Sequence, residues 1–403
     1  MKKTVKRMLG IVFAATMLLS ASVFAACEEE KKPAGRKHDQ NTLVVEGTGK
    51  VQCHNFVDGR CTMCDETTIF RQDPLSKSPE ILNTAQPADK QGHIEEIWYK
   101  SRAYGLEAAY PDEGEMHIIK HAYVYLPAGY DANNKDKKYN VLYMMHGNKL
   151  NEGYWFGQLN YATDRSPYTG GYGTENVIDG LYAAGKCADI IFVTPTFYSY
   201  YNKDAEGPRD YPTQYYGKVD PDYVGIDTAN NHVQEYEELG IDEYWPNELK
   251  NDLMPYIAEH YNTYAKSGAP EDLIAARDHH GFTGLSRGGF VCTKVATQAM
   301  DYISYFATES GGSGGKAFAD VYNTKWKPQG YTLNYWFHGF GSSEDYQATV
   351  ESFCELRDGI GATTGSNIKG GDQLEFVLSN KTGHNYATWI TNLYNLLQVF
   401  FLK

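Results

Sequence analysis

The chain has 403 residues, with 37 Lys and Arg against 51 Asp and Glu, a formal net charge of −14. Hydrophobic residues make up 42% and charged residues 22%, which excludes a wholly disordered chain and a multi-span membrane protein. The acidic balance lacks the positive footprint that phosphate backbones require, so a nucleic-acid partner is not expected.

Aromatic content is high, at 33 Tyr, 17 Phe and 6 Trp. Such a composition suits surfaces that stack on flat neutral groups such as sugars or phenolics, and it also occurs generally in extracellular proteins. Lys2, Lys3, Lys6 and Arg7 precede an apolar run from Met8 to Leu19, then small residues up to Ala25-Ala26-Cys27. This is the layout of an export signal, with an apolar stretch too short to span comfortably. Cleavage after Ala25 and lipid attachment at Cys27 both fit. The charged tether that follows, residues 28–50, favours a lipoprotein held at the cell surface.

Cys53, Cys61 and Cys64, with His54 beside them, form a small cluster over 51–66. Soft ligands at that spacing can hold a structural zinc ion, and in an oxidising compartment the same residues can staple a turn by a disulfide. Cys187, Cys292 and Cys354 stand singly in apolar patterns and read as buried, inert thiols.

The main body, 88–403, alternates strand-like and helix-like patterns. Ile94 to Tyr99 and His117 to Leu126 read as strands, and Tyr139 to Met145 as a buried strand running into His146-Gly147. Val177 to Ala184 reads as a helix stopped by Gly185, and Asp189 to Thr194 as a further strand. A long stretch at 198–245, dense in Tyr, Asp and Glu, has little periodicity and reads as an insertion covering a site. Asn247 to Tyr261 carries Leu249, Leu253, Ile257 and Tyr261 on one helical face. Strands separated by helices imply a mostly parallel sheet covered on both sides, an α/β architecture.

The chemistry centres on Gly284-Leu285-Ser286-Arg287-Gly288, where a short strand runs into a helix-like segment from Phe290 to Met300. A serine on so tight a strand–turn–helix junction needs glycines two positions before and after it, and its hydroxyl then stands exposed at the sheet edge. Gly311-Gly312-Ser313-Gly314-Gly315 fits the same pattern, but it reads as a glycine-rich loop with no helix directly behind it. A nucleophilic serine needs a base, and the base an orienting acid, which follow in the order Ser, Asp or Glu, His on this type of scaffold. His384, on the loop after a strand at Leu374 to Leu378, is the base. Glu344 and Asp345, after a strand at Tyr331 to His338, compete for the acid, and Asp345 is preferred. The oxyanion donors are the backbone N–H groups of Arg287 and Asn148, the latter just beyond His146-Gly147. His146 itself reads as packing and hydrogen bonding beneath the site.

Tyr139 to Gly147, Glu248-Leu249 to Pro255-Tyr256-Ile257, Arg277 to Gly289 and Gly383-His384-Asn385-Tyr386 together resemble the esterase-D-like, feruloyl-esterase branch of the α/β-hydrolases, within the first family of carbohydrate esterases. The resemblance covers about His93 to the C-terminus. It implies an α/β-hydrolase fold and a secreted enzyme that cleaves feruloyl or acetyl esters of plant xylan with no catalytic cofactor. Two departures stand out: Asn148-Lys149-Leu150 replaces the further glycines usual after His146-Gly147, and Arg287 replaces the Met frequent after the serine. An acyltransferase on the same scaffold and a non-catalytic glycan-binding lipoprotein are the rival readings; a metal-dependent deacetylase is disfavoured because the cysteine cluster lies outside the strand–loop positions.

Overall fold

The computed structural model describes residues 84–402 except 110, 116, 149, 158–172, 199–217, 220–240, 365–370 and 380–381, together with short pieces at 56–57, 60–61 and 70–73. The expected export signal and tether, Cys53, Cys64 and nearly all of the Tyr-rich stretch expected to be an insertion therefore lie outside the described residues. Cys61 is described only as part of a two-residue strand, Arg60–Cys61, paired with Phe56–Val57.

Eleven described strands form one sheet. They are β1 (Phe70–Asp73), β2 (His93–Arg102), β3 (His117–Leu126), β4 (Asn140–Met145), β5 (Ile190–Thr194), β6 (Lys218–Val219), β7 (His280–Leu285), β8 (Tyr305–Glu309), β9 (Tyr335–Gly341), β10 (Thr363–Thr364) and β11 (Gln373–Ser379). Their spatial order is β10-β11-β9-β8-β7-β4-β5-β3-β2, with β1 also on β11 and β6 on β3. From β5 through β11 the pairs are parallel, while β3 runs antiparallel to both β5 and β2. All parallel neighbours thus end at the same edge, and β4, β7, β9 and β11 deliver their following loops to one place.

Helices cover both faces. On one lie α1 (Thr174–Ala183) and α7 (Tyr386–Leu397). On the other lie α2 (Ile241–Glu248), α3 (Met254–His260), α4 (Arg287–Gln298), α5 (Gly315–Val321) and α6 (Gln347–Ile360). The pleat sorts residues between the two cores: Val141, Tyr143 and Met145 of β4 join the α2–α6 side, Leu142 and Met144 the α1 and α7 side. A strand buried on both faces must be apolar throughout, which explains the unbroken Val-Leu-Tyr-Met-Met run.

Strand β3 has the bounds expected from the sequence, and β2, β4, β5 and α1 differ from expectation by a few residues at their ends. Helix α1 stops as expected at Gly185, whose positive φ of 63° closes the end while Lys186 N–H donates to Leu181 O. The expected helix Asn247–Tyr261 is broken differently: α2 passes through a π turn at Leu249–Leu253 into α3. Pro255 has no N–H to give Asn251, and the ladder opens one residue wider just before it. The glycine-rich segment Gly311-Gly312-Ser313-Gly314-Gly315 also departs from expectation, since α5 starts directly at Gly315.

Candidate active site

Strand β7 ends at Leu285, α4 begins at Arg287, and Ser286 between them holds φ 50° and ψ −117°. A non-glycine residue in that region costs about 1–3 kcal/mol and persists only where its surroundings fix it. Here the Ser286 N–H donates to Glu309 O at 2.7 Å, and its carbonyl accepts from Gly289 N–H at 2.9 Å. The flanking glycines are required by contact: a Cβ on Gly284 would stand 2.0 Å from Gly288 O, and one on Gly288 would stand 2.5 Å from His146 O. The pattern read from the sequence is thus the result of three backbone segments crossing at one point.

His384 Nε2 lies 2.9 Å from Ser286 Oγ, and His384 Nδ1 lies 2.7 Å from Glu344 Oε2. A carboxylate only accepts, so Nδ1 carries the proton and Nε2 is left to accept from the serine hydroxyl. The imidazole is held from behind by sequence-local means. Asn385 caps α7 by accepting from Ala387 N–H, and Thr388 Oγ1 donates to Gly383 O.

The acid is a correction to the sequence reading. Glu344, not Asp345, meets the imidazole; Asp345 is exposed on the rim of the same cleft. The turn decides this. Ser342 N–H donates to Ser379 O, Ser343 N–H to Thr382 O, and Glu344 N–H closes back on Gly341 O at 3.0 Å. That register aims position 344 at the histidine loop. Its Oε1 accepts from Gly341 N–H and from Ser310 Oγ, each at 2.7 Å, and Ser310 Oγ accepts in turn from Trp389 Nε1–H at 3.0 Å. Sequence reading missed Ser310 and Trp389 in these positions; Ser310 directly follows a strand that only the fold places next to the serine strand.

On the opposite side, Gly147 abuts the elbow, a Cβ there falling 3.1 Å from Ser286 Cβ. The following Asn148 is exposed, and its Oδ1 accepts from Tyr198 OH at 3.2 Å. His146 is buried, as expected, with Nδ1 2.7 Å from Gly147 O and Nε2 2.8 Å from Thr196 Oγ1. Burial pushes its pKa down to about 3, so it is neutral and cannot compete as a base. The Arg287 side chain donates from Nε to Asp242 Oδ1 at 3.1 Å, tying the elbow to α2.

This edge of the sheet opens into a cleft of about 390 Å³ lined by Phe290, Gly311, Phe340, Glu344, Asp345 and His384 among others. Phe290, on the first turn after the elbow, is 55% exposed. Behind the elbow Glu309 is wholly buried; one oxygen accepts from Thr283 Oγ1 at 2.7 Å, and the other has no partner among the described residues. Burial raises its pKa to about 8. Cys292 and Cys354 are buried as expected, while Cys187 is only half-buried, its thiol pushed up to about 12 mainly by desolvation. Among the described residues no group of three or more His, Cys, Asp or Glu could hold a metal, and no helix is long and apolar enough to cross a membrane.

The architecture matches solved structures. The feruloyl esterase module from Clostridium thermocellum, in a mutant form complexed with sinapinate, superposes with a TM-score of 0.54 at 22% identity, over 81% of this chain and 93% of that one. The chain has the α/β-hydrolase fold. A ferulic acid esterase of the first carbohydrate esterase family, from the anaerobic fungus Anaeromyces mucronatus in complex with ferulic acid, superposes at 0.50 with 19% identity, over 82% of this chain and 98% of that one. In sequence, the chain is 30% identical over 188 residues to endo-1,4-beta-xylanase Y of Acetivibrio thermocellus; the match spans 47% of the chain and 12% of that xylanase. No protein-family model matches the chain.

Proposed function

We propose that the chain is an exported serine carboxylesterase that removes feruloyl or acetyl groups from plant cell-wall xylan. The observation that carries the reading is the unbroken line Ser286 Oγ–His384 Nε2, His384 Nδ1–Glu344 Oε2 at the mouth of a cleft. His384 takes the Ser286 proton as the oxygen attacks the ester carbonyl, and Glu344 holds the ring and stabilises its positive form. The oxyanion receives the backbone N–H groups of Arg287 and Asn148. Collapse of the adduct passes the proton to the departing alcohol, and water releases the acyl group by the same path in reverse.

Three observations support the substrate class. Phe290 and Phe340 line the cleft and suit a flat acyl group. The structural relatives named above are feruloyl esterases, and the sequence relative is a xylanase. The export signal read at Ala25-Ala26-Cys27 fits a polymeric substrate outside the cell, with Cys27 as the anchor and the cysteine cluster at 51–66 preceding a catalytic domain at 88–403 in the sequence. Purified protein should release ferulate from methyl ferulate, or acetate from acetylated xylan, and Ser286→Ala should abolish release with an unchanged circular dichroism spectrum. Undiminished turnover by that variant would end the reading.

A further inference from the structure

The acid of the site is a glutamate, one rotatable bond longer than an aspartate, on an irregular turn. A free glutamate side chain there would hold several rotamers, and only one of them meets the imidazole. The structure shows what removes that freedom. Glu344 Oε1 is bonded twice, by Gly341 N–H and by the Ser310 hydroxyl, which leaves Oε2 aimed at His384 Nδ1. Ser310 directly follows β8, the strand next to the serine strand, and its hydroxyl has one proton to give. Trp389 Nε1–H donates into Ser310 Oγ, so that proton is directed to the carboxylate. The same indole packs edge-on against the His384 ring, with centroids 5.3 Å apart and planes at 88°. One tryptophan therefore touches the base directly and the acid through a single serine.

Ser310 keeps this place at a conformational cost. It holds φ 53°, a left-handed conformation for a residue with a side chain, in a loop where Gly311 and Gly312 follow. A glycine at 310 would fit the backbone better, so the backbone alone gives no reason for the serine. The hydroxyl does.

We infer that Ser310 is a positioning residue, which with Trp389 locks the Glu344 carboxylate into the single rotamer that orients His384. This rests on the proposed esterase reading of the same site. The test separates the two by following the rate at which Ser286 is labelled by a fluorophosphonate probe, which depends on the activated serine and not on the natural ester. Ser310→Gly removes the hydroxyl and relieves the backbone. Expected are a folded protein whose melting temperature stays near wild type, the relieved backbone offsetting the lost Trp389 and Glu344 bonds, and a fall in labelling rate and in kcat for p-nitrophenyl acetate of roughly ten- to a hundredfold, with KM nearly unchanged. Introduced into a Glu344→Ala background, Ser310→Gly should cost nothing further, because there is no carboxylate left to position. Ser310→Ala, which keeps the Cβ, should lose rate to the same extent as Ser310→Gly. A Ser310→Gly protein that labels within twofold of wild type overturns the inference and leaves the esterase reading standing, as does an equal loss in both backgrounds. A wild-type protein that never labels overturns both.

Discussion

The two sides of the nucleophile are built by opposite means. On the acid side, side chains from four segments do the work: Glu344, Ser310, Trp389 and His384 form one hydrogen-bonded and packed group. On the proposed oxyanion side, backbone segments approach so closely that Gly284 and Gly288 leave no room for a Cβ, Gly147 sits against the Leu285 and Ser286 side chains, and the other side chains there mostly brace the loop. The difference follows from what each side must supply. A negative charge behind an imidazole has to come from a side chain, and a side chain has to be held. Oxyanion donors are N–H groups, which the chain carries wherever it runs, so only the path needs fixing.

The comparison can be broken hardest on the acid side. Glu344→Ala is expected to lower kcat by about 10³- to 10⁴-fold, while Asp345→Ala, one position on, should leave kcat within about threefold. Steady-state kinetics on both variants checks this; equal losses would show that the turn presents both carboxylates.

Between the two sides sits Glu309, whose carbonyl fixes the Ser286 N–H and whose side chain is buried. Its folded pKa of about 8 lies above the ordinary carboxyl value. The unfolded chain therefore releases this proton first, and stability is full below about pH 4.5 and declines as pH rises to about 8. Glu309→Gln stays neutral throughout and should flatten that decline by on the order of a few kcal/mol. Denaturant unfolding at pH 5 and pH 8.5 reads the difference, and a parallel pH dependence in the two proteins would contradict it.

The smallest effect is expected where side chains merely brace backbone. The neutral His146 donates from Nδ1 to Gly147 O and accepts at Nε2 from Thr196, whose oxygen in turn accepts from Tyr198 N–H at 3.2 Å. Thr196→Val leaves that nitrogen unpaired in the interior and should cost about 1–3 kcal/mol of stability, with kcat lowered only severalfold. A loss of kcat as large as that of Glu344→Ala would make the oxyanion side as dependent on side chains as the acid side.

Much of the scaffold was legible because its signals are local. Strand β3 announces itself by an apolar β-rich run, and α1 by its periodicity and Gly185. The π turn ahead of Pro255 was not legible, since whether a proline breaks a helix or widens one turn depends on what packs around it. Nor was the helix behind Ser313, because glycines that permit a loop also permit the left-handed start that α5 uses, with Gly314 at φ 77°.

The amino-acid order made the elbow legible, since strand, glycine, serine, glycine and helix follow one another within a dozen residues, while Glu309 O and His146 O from neighbouring strands complete its geometry. It made the histidine loop legible for the same reason. The folded arrangement alone decided that Glu344 and not Asp345 faces the ring, and that Ser310 and Trp389 stand behind it. The serine and histidine are 98 positions apart and the histidine and glutamate 40, and adjacent side chains in a turn diverge according to hydrogen bonds made to other strands.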